Sequence, residues 1–189
     1  PADGYTVMMA TASSHGSVPA TQPDTTPYDP IADFTAIARV GSGPFLIVVP
    51  RNSPHQTIQG LFDWLRANPG RASWATSGTG GIAHLAGEYA LLSAGNLRAE
   101  HVPYRGGAAV MEALAKGEVD FSVEVMASTV THLREGLSRG LAVTARDRHR
   151  LAPEIPTLHE VGLTDFDMGT WNLLFGPRDL PAPVTAALN

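Results

Sequence analysis

The sequence predicts an α/β fold arranged in two lobes, and three observations carry that expectation. From residue 45 to residue 145, short apolar runs alternate with amphipathic helical stretches, the pattern of right-handed βαβ units building a mostly parallel sheet flanked by helices. The segments 1–40 and 166–189 flank this unit on both sides and carry apolar runs of their own, so they are expected to pair as part of a second lobe. Of 189 residues, 43% are hydrophobic and 16% charged, enough to bury a substantial core in one domain or two small lobes.

In chain order, Tyr5–Ala10 reads as a buried strand. Thr11–Pro30, rich in Thr, Ser, Pro and Asp, reads as a long surface loop with Pro27-Tyr28-Asp29-Pro30 as a rigid turn. Phe34–Val40 and Phe45–Val49 are two further strands, with Gly41-Ser42-Gly43-Pro44 expected to break the chain between them. Thr57–Asn68 is the clearest helix: Ile58, Leu61, Phe62 and Leu65 share one face and Pro69-Gly70 stops it. Strand 73–76 then leads to helix 81–94, whose apolar face is read as Ile82, Leu85, Tyr89 and Leu92. Strand 99–104 leads to a helix over 107–116, strand 119–125 to a helix over 128–136, and strand 141–145 closes the series. Arg146–Arg150 is a solvated connector in an acidic chain. A short helix around Leu158–Val161, a last strand Met168–Phe175 and a helix begun at Pro181–Leu188 complete the reading. The expected division is 1–42 for part of the first lobe, 43–147 for the second, ligand-binding lobe, and 148–189 for the return to the first.

Composition narrows the chemistry. A net charge of −5 argues against nucleic acid or an anionic membrane as the main partner, while leaving a small anionic ligand open. With no cysteine there are no disulfides, thiolate metal sites or cysteine nucleophiles. No apolar run approaches the length of a transmembrane helix, and residues 1–4 read as a turn, not a signal peptide.

The stretch Thr76-Ser77-Gly78-Thr79-Gly80-Gly81 follows a strand and enters a helix. The first N–H groups of a helix lack partners inside it and sit at the positive end of its dipole, so such a turn is suited to an anion. Glycines let the backbone approach a carboxylate or phosphate, and the hydroxyls of Thr76, Ser77 and Thr79 add donors. The turn is not a P-loop, because no Gly-Lys-Ser/Thr ends it; it lacks the third glycine of a dinucleotide fingerprint; and Gly-x-Ser-x-Gly is absent from the chain. A merely geometric role for the glycines fits these residues as well.

A longer pattern adds to this. Ala2-Asp3-Gly4-Tyr5-Thr6, Pro27-Tyr28-Asp29-Pro30, Asp33-Phe34-Thr35, Asn68-Pro69-Gly70, Thr76-x-Gly78-x-Gly80 with His84-Leu85-Ala86-Gly87-Glu88, His101–Gly106, Leu141–Thr144 and Pro156-Thr157-Leu158 occur in order. Together they resemble the Bug-type receptors, the periplasmic substrate-binding proteins of tripartite tricarboxylate transporters, over essentially the whole chain. The resemblance implies a two-lobed fold like that of type II periplasmic binding proteins, with a cleft that captures a small organic acid, no catalysis, no cofactor and no metal. It implies as partners the membrane components of such a transporter, and a periplasmic location. Family pocket positions carry over to Thr76, Ser77, Gly78, Thr79 and Gly80. They carry over more loosely to Thr11, Ser13 and Ser14, and to Tyr104, Arg105 and Gly106. Gly81 stands where relatives carry Ser or Thr, keeping the backbone donor alone. Glu124, in Val123-Glu124-Val125, stands where they carry Phe-Asp-Asn, and its longer side chain is expected to reach further into the cleft. Relatives also extend beyond both ends, so the chain is read as an internal fragment. The strand Tyr5–Ala10 is then expected to offer an open edge for self-association.

Single residues admit plainer readings. His84 and Glu88 are one turn apart on a helix, and a surface pair or packed histidine is favoured over metal ligation. Glu124 fits a ligand contact and a solvated strand end equally; ionised, it repels a carboxylate but accepts from an amine or hydroxyl. Arg105 offers bidentate pairing with a carboxylate, though a surface role is the simpler account. Tyr104 and Trp171 are read as packing residues before stacking ones, and Trp64 and Trp74 as structural. The alternative function is an enzyme acting on a carboxylated or phosphorylated metabolite with the glycine turn as oxyanion cradle. For this the chain offers only His84 or Glu124 as a base, neither with an evident partner.

Overall fold

The computed structural model describes residues 1–189. Two compact units are present: unit 1 comprises Pro1–Ser42, Gly80–Ile82 and Thr170–Asn189, and unit 2 comprises Gly43–Thr79 and Ala83–Gly169. The expected return to the first lobe at residue 148 falls instead at Thr170. Backbone hydrogen bonds hold the intervening segment to unit 2, from Val143 N to Pro156 O, Leu158 N to Val143 O and Met168 N to Thr144 O. These bonds take the place of the short helix expected at Leu158–Val161, where the chain forms turns.

Strand β1 (Met8–Thr11) is shorter than the run that predicted it and pairs antiparallel with β7 (Gly169–Pro177). The expected loop after it is partly helical: a wide-pitch turn over Ser13–Ser17 runs into α1 (Val18–Thr21). In unit 1 His15 packs on Phe34 and Phe175, with ring centroids 4.7 Å away in each case, and the Tyr28 hydroxyl donates to Ser14 O at 2.6 Å. That aromatic group fixes the loop, which is why residues low in apolar periodicity still adopt one conformation.

Strand β2 is continuous from Phe34 to Pro50, so Gly41–Pro44 does not break it. Gly41 and Gly43 themselves have open space around them; the close approach belongs to Gly169 of β7, where a Cβ would stand 2.8 Å from Gly43 O. The second half of β2, Phe45–Val49, is buried and pairs antiparallel with both β5 (Phe121–Val125) and β6 (Ser138–Val143). Strand β3 (Ser73–Thr76) lies parallel to β4 (Glu100–Pro103) and to β5. Unit 2 therefore carries the order β6-β2-β5-β3-β4. The expected parallel pairing holds for the three strands linked by crossovers, and β2 and β6 add antiparallel pairs.

Helix α2 (Ile58–Ala67) is capped by Thr57, whose hydroxyl accepts from Gly60 N at 3.1 Å, and it buries Ile58, Leu61, Phe62 and Leu65 as its periodicity predicts. Helix α3 (Ile82–Ser93) differs from the reading of its face. It buries Ala83, Ala86, Gly87, Ala90 and Leu91, leaving Tyr89 and Leu92 exposed. The cause is Trp74 on β3: a Cβ on Gly87 would collide with its indole, so only the small-residue face fits against the sheet. Helices α4 (Gly107–Lys116) and α5 (Met126–Arg134) follow β4 and β5, and α6 (Ala182–Leu188) lies in unit 1. Leu46, Val48, Ala75, Val110, Leu114 and Val143 centre the core of unit 2.

Candidate functional site

Strand β3 ends at Thr76, and the polypeptide turns through Ser77–Gly81 into α3. Gly80 has φ +74°, a conformation that favours glycine, and a Cβ there would press on Thr21 and Gln22 of unit 1. Thr21 Oγ1 also donates to Gly80 O at 3.3 Å. Gly80, Thr21 and Gln22 all belong to unit 1, so these contacts are internal to that unit.

Several donors assigned to a ligand have partners inside the protein. The Ser77 N–H donates to Glu124 Oε1 at 2.6 Å, and the Ile82 N–H donates to Ser13 Oγ at 3.0 Å. Ser13 therefore caps α3 from a distant point in the sequence. Thr76 is fully buried; its hydroxyl donates to Gly78 O at 3.0 Å and lies 2.8 Å from His101 Nε2. A hydroxyl has one proton, so with Thr76 donating to Gly78 O the matching tautomer of His101 carries its proton on Nε2. The Gly78 N–H reaches Thr76 Oγ1 only at 3.5 Å, a long bond.

Glu124 does not present a free carboxylate. It is 1% exposed at the end of β5, next to β3, and burial raises its pKa, opposed by the hydrogen bonds from Ser77 and Val125. Its Oε2 lies beside α4, where a Cβ on Gly107 would be 3.0 Å away. His101 is held neutral, its pKa lowered to about 4 by burial and then by the neighbouring His84. The His84 and His101 rings stack at 4.0 Å, and Trp74 lies 4.7 Å from His101. His84 Nε2 is also 3.7 Å from Glu88 Oε1.

The remaining predicted positions divide. Thr11 and Ser14 bond each other reciprocally, Thr11 N to Ser14 Oγ at 3.0 Å and Ser14 N to Thr11 Oγ1 at 3.2 Å. Tyr104 packs on the core of unit 2, and its hydroxyl reaches Glu118 Oε2 only at 3.5 Å. Arg105 is exposed, and Gly106, at φ +93°, occupies the N-cap of α4. Sequence reasoning named Ser13, Ser77 and Glu124 but missed their bonds, and it missed His101 as the partner of Thr76. The signal for His101 lies in the register Thr76↔Pro103, which sets β4 alongside β3.

Two α/β units through which one strand runs, with a Gly/Ser/Thr turn entering a helix, define the fold of periplasmic solute-binding receptors. The chain belongs to the tripartite tricarboxylate transporter receptor family, TctC, which matches residues 1–189. It is 37% identical over 165 residues to the UPF0065 protein in the tcbD-tcbE intergenic region of Pseudomonas sp. (strain P51), covering 86% of this chain and 48% of that relative. Among solved structures it resembles Rpa4515 of R. palustris with adipate, at 28% identity and a TM-score of 0.94, covering 100% of this chain and 62% of that one. It also resembles MatC of Rhodopseudomonas palustris with bound malate, at 27% identity and a TM-score of 0.90, covering 100% and 63%. The chain spans about half the length of the curated relatives it matches.

Proposed function

We propose that this chain is the capturing part of a periplasmic solute-binding receptor for a small organic acid, which it passes to the membrane components of a tripartite tricarboxylate-type transporter. The observation that carries the reading is the family match across the whole chain. The structural neighbours Rpa4515 and MatC were solved with adipate and malate, which supports a short dicarboxylate as the ligand class. In this reading a carboxylate meets the N–H groups of the turn at the start of α3, foremost Gly78, whose bond to Thr76 is long. Ser77 and Ile82 keep their N–H groups for Glu124 and Ser13 and hold the turn in shape.

Isothermal calorimetry with malate and adipate tests this. Saturable heat is expected from at least one acid, none from the corresponding diamides, and a weaker response after Gly80→Ala, which strains the φ +74° turn. Both acids are expected to be recovered unchanged after long incubation. Absence of binding by either acid overturns the reading, and a product would favour the enzyme alternative.

A further inference from the structure

A second pocket lies wholly within unit 2, away from the glycine turn in sequence and built from other elements. It has a volume of about 580 Å³, within the range of roughly 300–1,000 Å³ usual for small-molecule sites. Arg51 and Asn52 reach it from the end of β2, Ser138 and Arg139 from the start of β6, and Glu154 from the loop beyond. Leu133 and Ile155 supply an apolar wall.

Its charges are unspent. Neither guanidinium takes part in an ion pair, and neither does Glu154. Arg51 Nη1 donates to Gly136 O at 2.7 Å, which ties down the turn after α5 and leaves the rest of its fork available. Arg139 Nη1 is buried without any hydrogen-bond partner, and so is the hydroxyl of Ser138, a residue only 7% exposed. Buried donors of this kind are costly unless something accepts from them. Two arginines against one glutamate make the pocket locally cationic in a chain whose net charge is −5. The bulge between Ile47 and Val48 in the β2–β6 register lies beside Gly140, which also lines the pocket. A side chain on Gly140 would collide with Ile155, so glycine is needed where this wall closes.

We propose that this pocket is a binding site for an organic oxyanion, a carboxylate or phosphate monoester carrying an apolar body. The anionic head accepts from the guanidinium groups of Arg139 and Arg51, and the body lies on Leu133 and Ile155. Glu154 lines the same pocket and opposes the anion, so its charge sets a limit on affinity. The site is independent of the acid captured at the glycine turn.

The test is an amide NMR titration of the 189-residue chain with hexanoate, hexyl phosphate and, as uncharged control, hexanol. Saturable shifts are expected at Gly136, Ser138 and Gly140 with one or both anions and not with hexanol. Arg139→Gln is expected to weaken binding about tenfold or more, the loss of a charge-assisted bond. Glu154→Gln, at a side chain that takes part in no ion pair, is expected to tighten it. Response to hexanoate alone or hexyl phosphate alone supports the site and identifies the head group. Shifts equal for hexanol, unchanged affinity in Arg139→Gln, or no shift in the parent chain overturns the proposal. Shifts at Gly78 and Gly80 on adding malate report the other site, so the two readings fail separately.

Discussion

Glu124 shows how one side chain can be structural and still set the chemistry of a turn. Its carboxyl is buried with no cation paired to it, and its best contact is a backbone donor, the Ser77 N–H. Glu124→Ala leaves that N–H without its acceptor and is expected to cost about 1–3 kcal/mol in denaturant unfolding. Glu124→Gln retains an acceptor and is expected to cost less. The raised pKa adds a pH signature. The folded state holds this proton more tightly than the unfolded state, so the contribution is full below the ordinary value of 4.5 and is lost as pH rises above it. Stability of the parent chain relative to Glu124→Gln should therefore fall as pH climbs from 4.5. A constant difference between the two across that range would show that Glu124 is not held protonated. His101 acts in the opposite direction. Its pKa is lowered from 6.5 to about 4, so its contribution is full above 6.5 and is lost as pH falls toward 4. His101→Gln is expected to flatten this part of the profile.

Among the elements, α3 best separates pattern from packing. Its sequence offers a large-residue face and a small-residue face, and periodicity alone favours the large one. The sheet decides otherwise, because Trp74 fills the space above β3 and only Ala83, Ala86, Gly87 and Ala90 come close enough. Gly87→Val is therefore expected to destabilise the chain by about 1–3 kcal/mol through overpacking. Leu92→Ala, at a residue 60% exposed, should stay within about 0.5 kcal/mol. Equal costs in thermal unfolding would return the buried face to Leu85, Tyr89 and Leu92. Elements governed by local signals were legible: α2 from its stripe and the Pro69-Gly70 stop, β3 at both ends, and α4 over 107–116. The site was legible as a stretch and not as a set of bonds. Glu124 and Ser77 are 47 residues apart, and Ser13 and Ile82 are 69 apart. Their meeting depends on strand order and on a loop fixed by aromatic packing, neither of which has a local signature. The continuity of β2 was hidden for a related reason: its pairing with β7 is a long-range contact, and glycine reads as a break where such pairing is not known.

At the scale of the molecule, the outer strands of the sheets carry different protection. Strand β4 ends its sheet with Glu100 and Pro103, a charge and a missing donor that discourage pairing with another chain. In unit 1 the outer strand is β1, Met8-Met9-Ala10-Thr11, which pairs only with β7 and has neither device. Around it Tyr5 is 94% exposed, Met9 53% and Val7 44%, so unpaired backbone groups lie among apolar side chains. Such an edge can add a strand from a second copy, with main-chain hydrogen bonds giving affinity and the exposed side chains burying one another. The 189-residue chain is therefore expected to self-associate with rising concentration in sedimentation velocity. Met9→Lys should return it toward monomer without lowering its unfolding temperature, because a charge on an edge strand disfavours pairing while the residue lies outside the core. Amide exchange supplies the second measurement: protection of Met8–Thr11 should grow with protein concentration, while that of the buried half of β2 stays constant. A chain that sediments as a monomer throughout, with β1 exchange independent of concentration, would show that this edge does not recruit a second copy.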